Sequence, residues 1–212
     1  MSTPVLLLTE LTPKPGAAQR AAHAWAALAP PEAVRERQIY VALDDSAVLE
    51  LAALDSVAAA ETLMPSWHAS WDCLGADMVS DFRRQLLTAV EAPKDTAHAL
   101  PATPYLQLRH VEVPPARFAA YRAWRERTIF DVVRTAPEVD VFLAYHSAIS
   151  TEPGVMFVSG FSGAVDDYNA VFHSPRYQQI VREAGDQFIT GGKKGLYTQI
   201  YRHVEADRVG TP

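Results

Sequence analysis

The two halves of the sequence carry one pattern twice, and this duplication limits the possible folds more than any other feature. The stretch 5–11 (VLLLTEL) matches 105–111 (YLQLRHV), and a proline-containing turn follows each of them. The closing stretch 85–92 (QLLTAVEA) matches 199–206 (QIYRHVEA) in the same way. Other matches fall between these two pairs in the same order, which indicates an internal repeat.

Each half has the pattern β-α-β-β-α-β. The strands are predicted from β-branched and aromatic runs bounded by Pro, Gly, Asp and Ser. The first helix of the second half is predicted from Phe118, Tyr121 and Trp124, whose spacing places them on one stripe. A unit of this kind forms a four-stranded antiparallel sheet with both helices on one face, so its other face must be covered. We therefore predict an α+β fold in which two tandem ferredoxin-like repeats form an α+β barrel.

The prolines after the first closing stretch indicate where the repeats join. We predict a first ferredoxin-like repeat over 1–92, which serves as scaffold, and a linker over 93–104. A second repeat over 105–206 is predicted to hold the ligand site, and 207–212 are predicted to be a tail.

Composition and charge exclude several classes of function. The net charge of −6 is unfavourable for binding nucleic acid or an anionic membrane surface. No apolar run approaches the ~20 residues that span a bilayer, and the N-terminus has no basic segment typical of a signal peptide. The single cysteine, Cys73, excludes an internal disulfide and a multi-thiolate metal site. These features predict a cytoplasmic protein.

Residues 167–172 (DYNAVF) and 173–180 (HSPRYQQI) are similar to the last-helix pattern of the dimeric α+β-barrel superfamily of ferredoxin-like units. The resemblance implies a ligand between the sheet and the helices or within the barrel, and homodimer formation as one assembly. Members include cofactor-independent monooxygenases and cyclases of aromatic polyketide pathways, haem-degrading enzymes, and tandem-repeat haem proteins such as the chlorite dismutase group. Fold alone does not choose among these activities.

The resemblance also bears on haem. Haem-degrading members carry a ligating histidine about two turns into the last helix, and the similarity places Val181 at that position. The segment 174–190 contains no histidine. We therefore expect no cofactor and no protein-bound metal, and we keep haem bound through His146 or His173 as an alternative.

Polar side chains follow one face of the opening strand of the second half and one face of its last strand, because side chains alternate along a strand. The six predicted site residues on these faces are Tyr105, Gln107, Arg109, Tyr197, Gln199 and Tyr201. First and last strands are neighbours in this topology, so we expect the two polar faces to coincide. The first half has Val5, Leu7 and Thr9 at the positions equivalent to the first three. A solvated sheet surface or a polar dimer interface would explain the same pattern without a pocket.

The second strand of this half ends in Tyr145 and His146, which point to opposite faces. One of them is predicted to remove a proton from an aromatic or polyketide-like substrate, since imidazole titrates near neutral pH. Arg109 is predicted to stabilise the resulting oxyanion, and His173 to contact substrate at the rim of the pocket. The predicted function is a cofactor-independent monooxygenase or cyclase that acts on a small aromatic or apolar molecule. The alternatives are a haem-dependent enzyme and a non-catalytic ligand-binding protein.

Overall fold

A computed structural model describes residues 1–190 and 196–204, and in these residues eight antiparallel strands form a closed barrel. Each strand lies where a β-rich run of the sequence predicts one. The strands are β1 (Val5–Leu11), β2 (Glu36–Ala42), β3 (Val48–Leu54), β4 (Arg83–Lys94), β5 (Tyr105–Val111), β6 (Val141–Ile149), β7 (Val155–Phe161) and β8 (Leu196–His203).

Helices cover the outside of the barrel. In the part of the chain that the structure describes they are α1 (Ala18–Ala27), α2 (Trp67–Leu74), α3 (Phe118–Arg127), α4 (Ile129–Thr135), α5 (Val165–His173) and α6 (Pro175–Gln187). The second half has two α-helices at each position where the first half has one, and in the first half a 3-10 helix (Ala58–Ser66) precedes α2. Thr128 separates α3 from α4, and Ser174 separates α5 from α6. None of the helices in the described residues is long and apolar enough to cross a membrane.

The strand order confirms the duplicated ferredoxin-like fold. The barrel order is β1-β3-β2-β8-β5-β7-β6-β4, so each half contributes one contiguous four-stranded sheet. The two sheets are joined by the pairs β2–β8 and β4–β6. One chain supplies all eight strands, so closure of this barrel requires no second chain. The fold is α+β, as the sequence predicts.

The barrel interior is an apolar core formed by alternate residues of the strands. Its members include Leu6, Leu8, Leu51, Leu106 and Leu108, all of them fully or almost fully buried. The outward faces of the strands pack against the helices, and in the second half this layer is rich in aromatic rings. The sheet therefore contributes side chains to two hydrophobic layers, one inside the barrel and one beneath the helices.

The predicted linker closes one end of the barrel. Ala99 and Leu100 belong to the interior core, and the Ala99 carbonyl accepts a hydrogen bond from the Thr3 amide at 2.9 Å. Strand β4 continues to Lys94, so the strand includes the first two residues of the predicted linker 93–104. The predicted tail, 207–212, lies outside the described residues.

Candidate functional site

A cavity lies between the sheet and the helices of the second half, and we call it the helix-side cavity. Its volume is about 350 Å³. Strands β5, β7 and β8 form its floor, and helices α3, α4, α5 and α6 form its wall and roof. Most of the lining side chains are aromatic or aliphatic, and the polar ones are few, which is the usual composition of a small-molecule site.

Strand β5 places two of the predicted residues, Gln107 and Arg109, on the floor of this cavity. Alternation along the strand sends Leu106 and Leu108 into the barrel and these two polar side chains toward the helices. In the first half, Thr9 is the residue equivalent to Arg109. Strand β1 lies between β3 and β4 in the first sheet, just as β5 lies between β7 and β8 in the second. The polar floor is therefore an addition that the fold itself does not require.

Arg109 is held by aromatic groups. Its Nη1 donates a hydrogen bond to the Tyr177 hydroxyl at 2.7 Å, and its guanidinium carbon lies 5.1 Å from the Phe172 ring centre and 5.4 Å from that of Tyr177. Its Nε is buried without a hydrogen-bond partner. No carboxylate of the described residues forms a salt bridge with Arg109, so the guanidinium keeps its charge available for a bound anion.

The sequence explains locally why Tyr177 reaches this position. The hydroxyl of Ser174 accepts a hydrogen bond from the Tyr177 amide at 3.3 Å, and Pro175 occupies the first turn of α6. A serine cap followed by proline is a strong signal for a helix start. Burial raises the pKa of the Tyr177 phenol, and the nearby Arg109 charge only partly opposes this effect. Tyr177 is therefore a neutral hydroxyl at physiological pH.

Gln107 is held by a second buried tyrosine. The Tyr168 hydroxyl donates to Gln107 Oε1 at 3.2 Å, and burial raises the pKa of this phenol as well. The Tyr168 ring stacks on Phe161 with ring centres 3.8 Å apart, and Tyr105 stacks on the same Phe161 at 5.2 Å. Tyr105 thus packs beside the cavity and is not one of the side chains that line it.

A second arginine lies close to the cavity wall. Arg125 is fully buried, forms an ion pair with Glu91, and lies 5.3 Å from the centre of the Tyr121 ring, which lines the cavity. Burial raises the pKa of Tyr121, and the charges of Arg125 and Arg109 oppose that effect. Two guanidinium groups therefore lie near Tyr121, and of these Arg125 is paired with Glu91 whereas Arg109 has no carboxylate partner among the described residues.

His173, predicted as a rim residue, lines the cavity at the end of α5 and is exposed to solvent. Asn169 and Gln178 are further polar residues of the lining. Among the described residues, His173 is the histidine that lines the cavity.

The expectation that the polar faces of β5 and β8 coincide is wrong. Arg109 pairs with Thr198, and His110 pairs with Tyr197, so residues of opposite parity face each other. Directly paired residues share a face. The predicted site residues of β8 that face the barrel interior, with His110 and the leucines of β5, are Tyr197, Gln199 and Tyr201. They line a different cavity at the end of the barrel.

Tyr145 and His146 do not line the helix-side cavity. Tyr145 is buried in the barrel interior, and its hydroxyl donates a long hydrogen bond of 3.4 Å to the Thr3 carbonyl. His146 points to the helix side, but its ring packs 4.9 Å from that of Phe118, at the edge of the aromatic layer. The expectation that one of them works beside Arg109 is therefore not supported by their placement.

The first half also buries charge, which its apolar first strand did not predict. Arg37 Nε and Glu50 Oε1 form an ion pair at 3.1 Å, and their side chains are 8% and 16% exposed. Burial raises the pKa of the Glu50 carboxyl, and Arg37 opposes this effect. Arg37 also donates to the carbonyl of Leu28 at 2.6 Å, just after α1. Buried paired charges of this kind are compatible with a structural role.

The donor atoms of the helix-side cavity do not fit haem. Iron in haem proteins takes an axial ligand such as His, Cys, Met or Tyr from the protein. Val181, which stands where the resemblance places a histidine, lines the cavity and offers no donor. Tyr177 is hydrogen-bonded to Arg109, and His173 is exposed at the helix end. His146 lies outside the cavity. In the described residues, no group of three His, Cys, Asp or Glu side chains is placed to hold a metal ion.

No protein-family model matches the chain, and no curated protein matches it. Solved structures do match over nearly the whole length. A candidate monooxygenase from Fusobacterium nucleatum superposes with a TM-score of 0.68 at 8% identity, covering 96% of this chain and 94% of the other. An anthrone oxidase-like protein gives 0.67 at 12% identity, covering 95% and 91%. A heme-degrading enzyme from Listeria monocytogenes gives 0.55 at 7% identity, covering 94% and 99%.

At identities this low, the structural similarity demonstrates a common fold and leaves the activity open. The three neighbours differ in the chemistry that their names describe, and the likeness extends over both halves of each chain. Together with the strand order, they identify this chain as a duplicated ferredoxin-like α+β barrel.

Proposed function

We propose that this chain is a small-molecule enzyme that binds an aromatic, polyketide-like substrate in the helix-side cavity and acts on it as a cofactor-independent monooxygenase or cyclase. One observation carries the proposal. The Arg109 guanidinium, without a carboxylate partner among the described residues, faces a cavity lined by aromatic and aliphatic side chains. A flat aromatic molecule that develops negative charge on oxygen suits both properties of this space.

The first step is loss of a proton from a phenolic O–H or from a carbon next to a carbonyl. The negative charge that results is held on the substrate oxygen by Arg109, and the neutral Tyr177 hydroxyl is available to donate a hydrogen bond to it. Donors that the protein already holds in place stabilise such an oxyanion more strongly than water does, because they need not reorient as the charge develops. The hydrogen bond between the two residues holds both donors in place before the substrate arrives.

His173 replaces the predicted Tyr145 and His146 as the group that accepts the proton in this proposal. It lines the cavity and is open to solvent, so an imidazole there can pass the proton on to water. Gln107, fixed by Tyr168, then contacts the polar edge of the substrate.

The substrate carbanion carries out the second step. In the oxygenase version a methylene group reacts with dioxygen: one oxygen atom becomes a carbonyl oxygen, and the other leaves as water with the two methylene hydrogens. In the cyclase version the same carbanion attacks a carbonyl carbon of its own molecule: a carbon–carbon bond forms, the C=O π bond opens to an alkoxide, and that oxygen takes up the proton removed in the first step. The fold likeness to a candidate monooxygenase and to an anthrone oxidase-like protein favours the oxygenase version.

Anthrone, a flat aromatic methylene ketone, is a suitable probe. The full chain, treated with a chelator, is expected to consume dioxygen and to form anthraquinone. Arg109→Gln is expected to lower kcat by roughly 10²-fold, the usual effect of removing one oxyanion donor. Arg176→Gln is the matched control, since Arg176 is an exposed arginine on α6 that pairs with Asp131 outside the cavity. Unchanged turnover in Arg109→Gln would refute the assigned site.

Two further outcomes separate the alternatives. Saturable binding of anthrone without product would favour a non-catalytic ligand-binding protein. A Soret band after haem addition that disappears in His173→Ala would favour the haem-dependent alternative and would show that His173 serves as an axial ligand.

A further inference from the structure

A second cavity opens at the end of the barrel opposite the linker, and we call it the barrel-end cavity. Its volume is about 250 Å³, smaller than the roughly 300–1,000 Å³ of sites for drug-sized ligands. The interior faces of β1, β4 and β8 and the turns β2–β3 and β6–β7 surround it. The lining residues are mostly polar: Leu8, Glu10, Ser46, Ala47, Arg83, Gln85, Glu152, Tyr197, Gln199 and Tyr201. The sheet separates it from the helix-side cavity.

The hydrogen-bond donors of this wall are already used by its own carboxylates. The Tyr201 hydroxyl donates to Glu10 Oε2 at 2.8 Å, and Gln85 Nε2 donates to Glu152 Oε2 at 3.1 Å. The Tyr197 hydroxyl lies 3.4 Å from the same Glu152 oxygen. Apart from the Arg83 guanidinium at the rim, what the wall still offers to a ligand is therefore a set of acceptor lone pairs.

Gln85 provides independent support for a ligand at this place. Its side chain is 8% exposed, and its Oε1 is buried with no hydrogen-bond partner in the described residues. Exchanging the oxygen and nitrogen of the Gln85 amide would not remove this unpaired acceptor, because the NH₂ group must face the Glu152 carboxylate. A buried acceptor without a partner is costly, and such an exception requires an explanation. A donor supplied by a ligand would remove the cost.

The charges of the wall favour a ligand with positive charge. Arg83 pairs with Glu152 and its side chain is 63% exposed, so its charge is directed to the rim. Glu10 forms no salt bridge with a basic group of the described residues, although Arg83 lies opposite it in the sheet. The wall therefore has one more carboxylate than cations. Burial together with these carboxylates raises the pKa of Tyr197 and Tyr201, so both tyrosines stay neutral and add no negative charge of their own.

We propose that the barrel-end cavity binds a small aliphatic ammonium compound whose N–H groups donate to Glu10, Glu152 and Gln85 Oε1. An ammonium group has several donors and no acceptor, which complements a wall of acceptors with negative charge. The proposal does not depend on the enzymatic function, because the two cavities share neither residues nor a face of the sheet.

Calorimetric titration of the full chain at low ionic strength tests this with four probes that each have four carbon atoms: n-butylammonium, putrescine, 1,4-butanediol and butyrate. The two amines are expected to bind at least about tenfold more tightly than the neutral diol and the anion, as charge-assisted hydrogen bonds predict. This comparison uses the unmodified protein, so it does not depend on the folding of any variant. Equal affinity for 1,4-butanediol, or no amine binding at millimolar concentration, overturns the proposal.

Variants then locate the site. Glu10→Gln and Gln85→Leu are each expected to weaken butylammonium binding about tenfold or more. Glu61→Gln removes the same charge from an exposed carboxylate outside the cavity, so its affinity should equal that of the unmodified protein. If amines bind but neither cavity variant changes their affinity, the amines bind elsewhere and this assignment is wrong. Anthrone turnover, measured in parallel, reports on the helix-side cavity alone.

Discussion

The guanidinium of Arg109 and the hydroxyl of Tyr177 meet at 2.7 Å, and this contact joins the floor of the helix-side cavity to its roof. Strand β5 brings the arginine and the first turn of α6 brings the tyrosine. Because Tyr177 accepts from Arg109, its own hydrogen is free to point elsewhere, and no acceptor for it is found in the described residues. The pair thus presents two donors to the same space.

Tyr177→Phe tests this pair. The change leaves Arg109 Nη1 without its protein partner, so we expect the free energy of unfolding to decrease by about 1–2 kcal/mol. Anthrone affinity is expected to fall several-fold, since one donor is lost and the other is no longer fixed. Urea unfolding and fluorescence titration measure the two effects. Tyr105→Phe is the control, because it removes a hydroxyl beside the cavity and not within it. Equal affinity in both variants would show that Tyr177 does not contact the ligand.

The buried Arg125 predicts an asymmetry between two substitutions. Glu91 binds both Arg125, which is fully buried, and Arg122, whose side chain is 45% exposed. Glu91→Gln leaves Arg125 as a buried charge without its counter-ion, and we expect a loss of about 3–5 kcal/mol. Arg125→Met removes the buried charge and leaves Glu91 paired with Arg122, so a clearly smaller loss is expected. Urea midpoints compare the variants, and a larger loss in Arg125→Met would contradict this account.

Stability is expected to fall at alkaline pH. Burial is the largest cause of a raised pKa in seven tyrosines: Tyr40, Tyr121, Tyr145, Tyr168, Tyr177, Tyr197 and Tyr201. In the unfolded chain tyrosines lose their protons near pH 10, whereas these seven keep theirs in the fold. Above about pH 10 the folded state therefore binds more protons, and the free energy of unfolding decreases as pH rises.

Urea midpoints between pH 8 and pH 11 measure this effect, and tyrosinate absorbance should rise together with unfolding. Most of the tyrosinate signal appearing near pH 10 in protein that remains folded would contradict the burial of these phenols.

Gly154 supports the turn between β6 and β7 next to β5. Its φ is +126°, and a Cβ atom there would lie 2.4 Å from the Val111 carbonyl oxygen. Gly154→Ala is expected to cost about 2 kcal/mol or more, because both the backbone angle and the contact are unfavourable. Gly163→Ala is the control, since a Cβ there meets nothing within 4 Å. Thermal unfolding compares them, and equal midpoints would exclude the close approach.

The architecture was accessible from the sequence because it follows from repeated local patterns. The match of 5–11 with 105–111 placed two equivalent strands, and the structure pairs each of them with the corresponding neighbours. The polarity of Gln107 and Arg109, seen against that of Leu7 and Thr9, indicated which half deviates from what the fold requires. Alternation along one strand is a local property, so it was predicted correctly within β5.

The sequence did not predict which strands contribute side chains to the same site. Strands β5 and β8 are far apart in sequence, so no short turn sets their register, and a shift of one residue exchanges every side chain between the faces. The register that forms, with Arg109 opposite Thr198, sends Tyr197 and Tyr201 into the barrel. Tyr177 was also missed as a partner of Arg109. The Ser174–Pro175 helix start was the signal available for its position.

By itself, the sequence determined that the chain is a duplicated β-α-β-β-α-β unit and that the polar positions of β5 are extra to it, since both follow from periodicity and internal comparison. Only the tertiary structure decided which polar residues meet. Packing of α6 against β5 creates the pair of Arg109 and Tyr177, and closure of the barrel gathers Glu10, Gln85 and Tyr201 at its end. Contacts between distant strands and helices depend on register and closure, and these are set by burial of the whole core rather than by any local pattern.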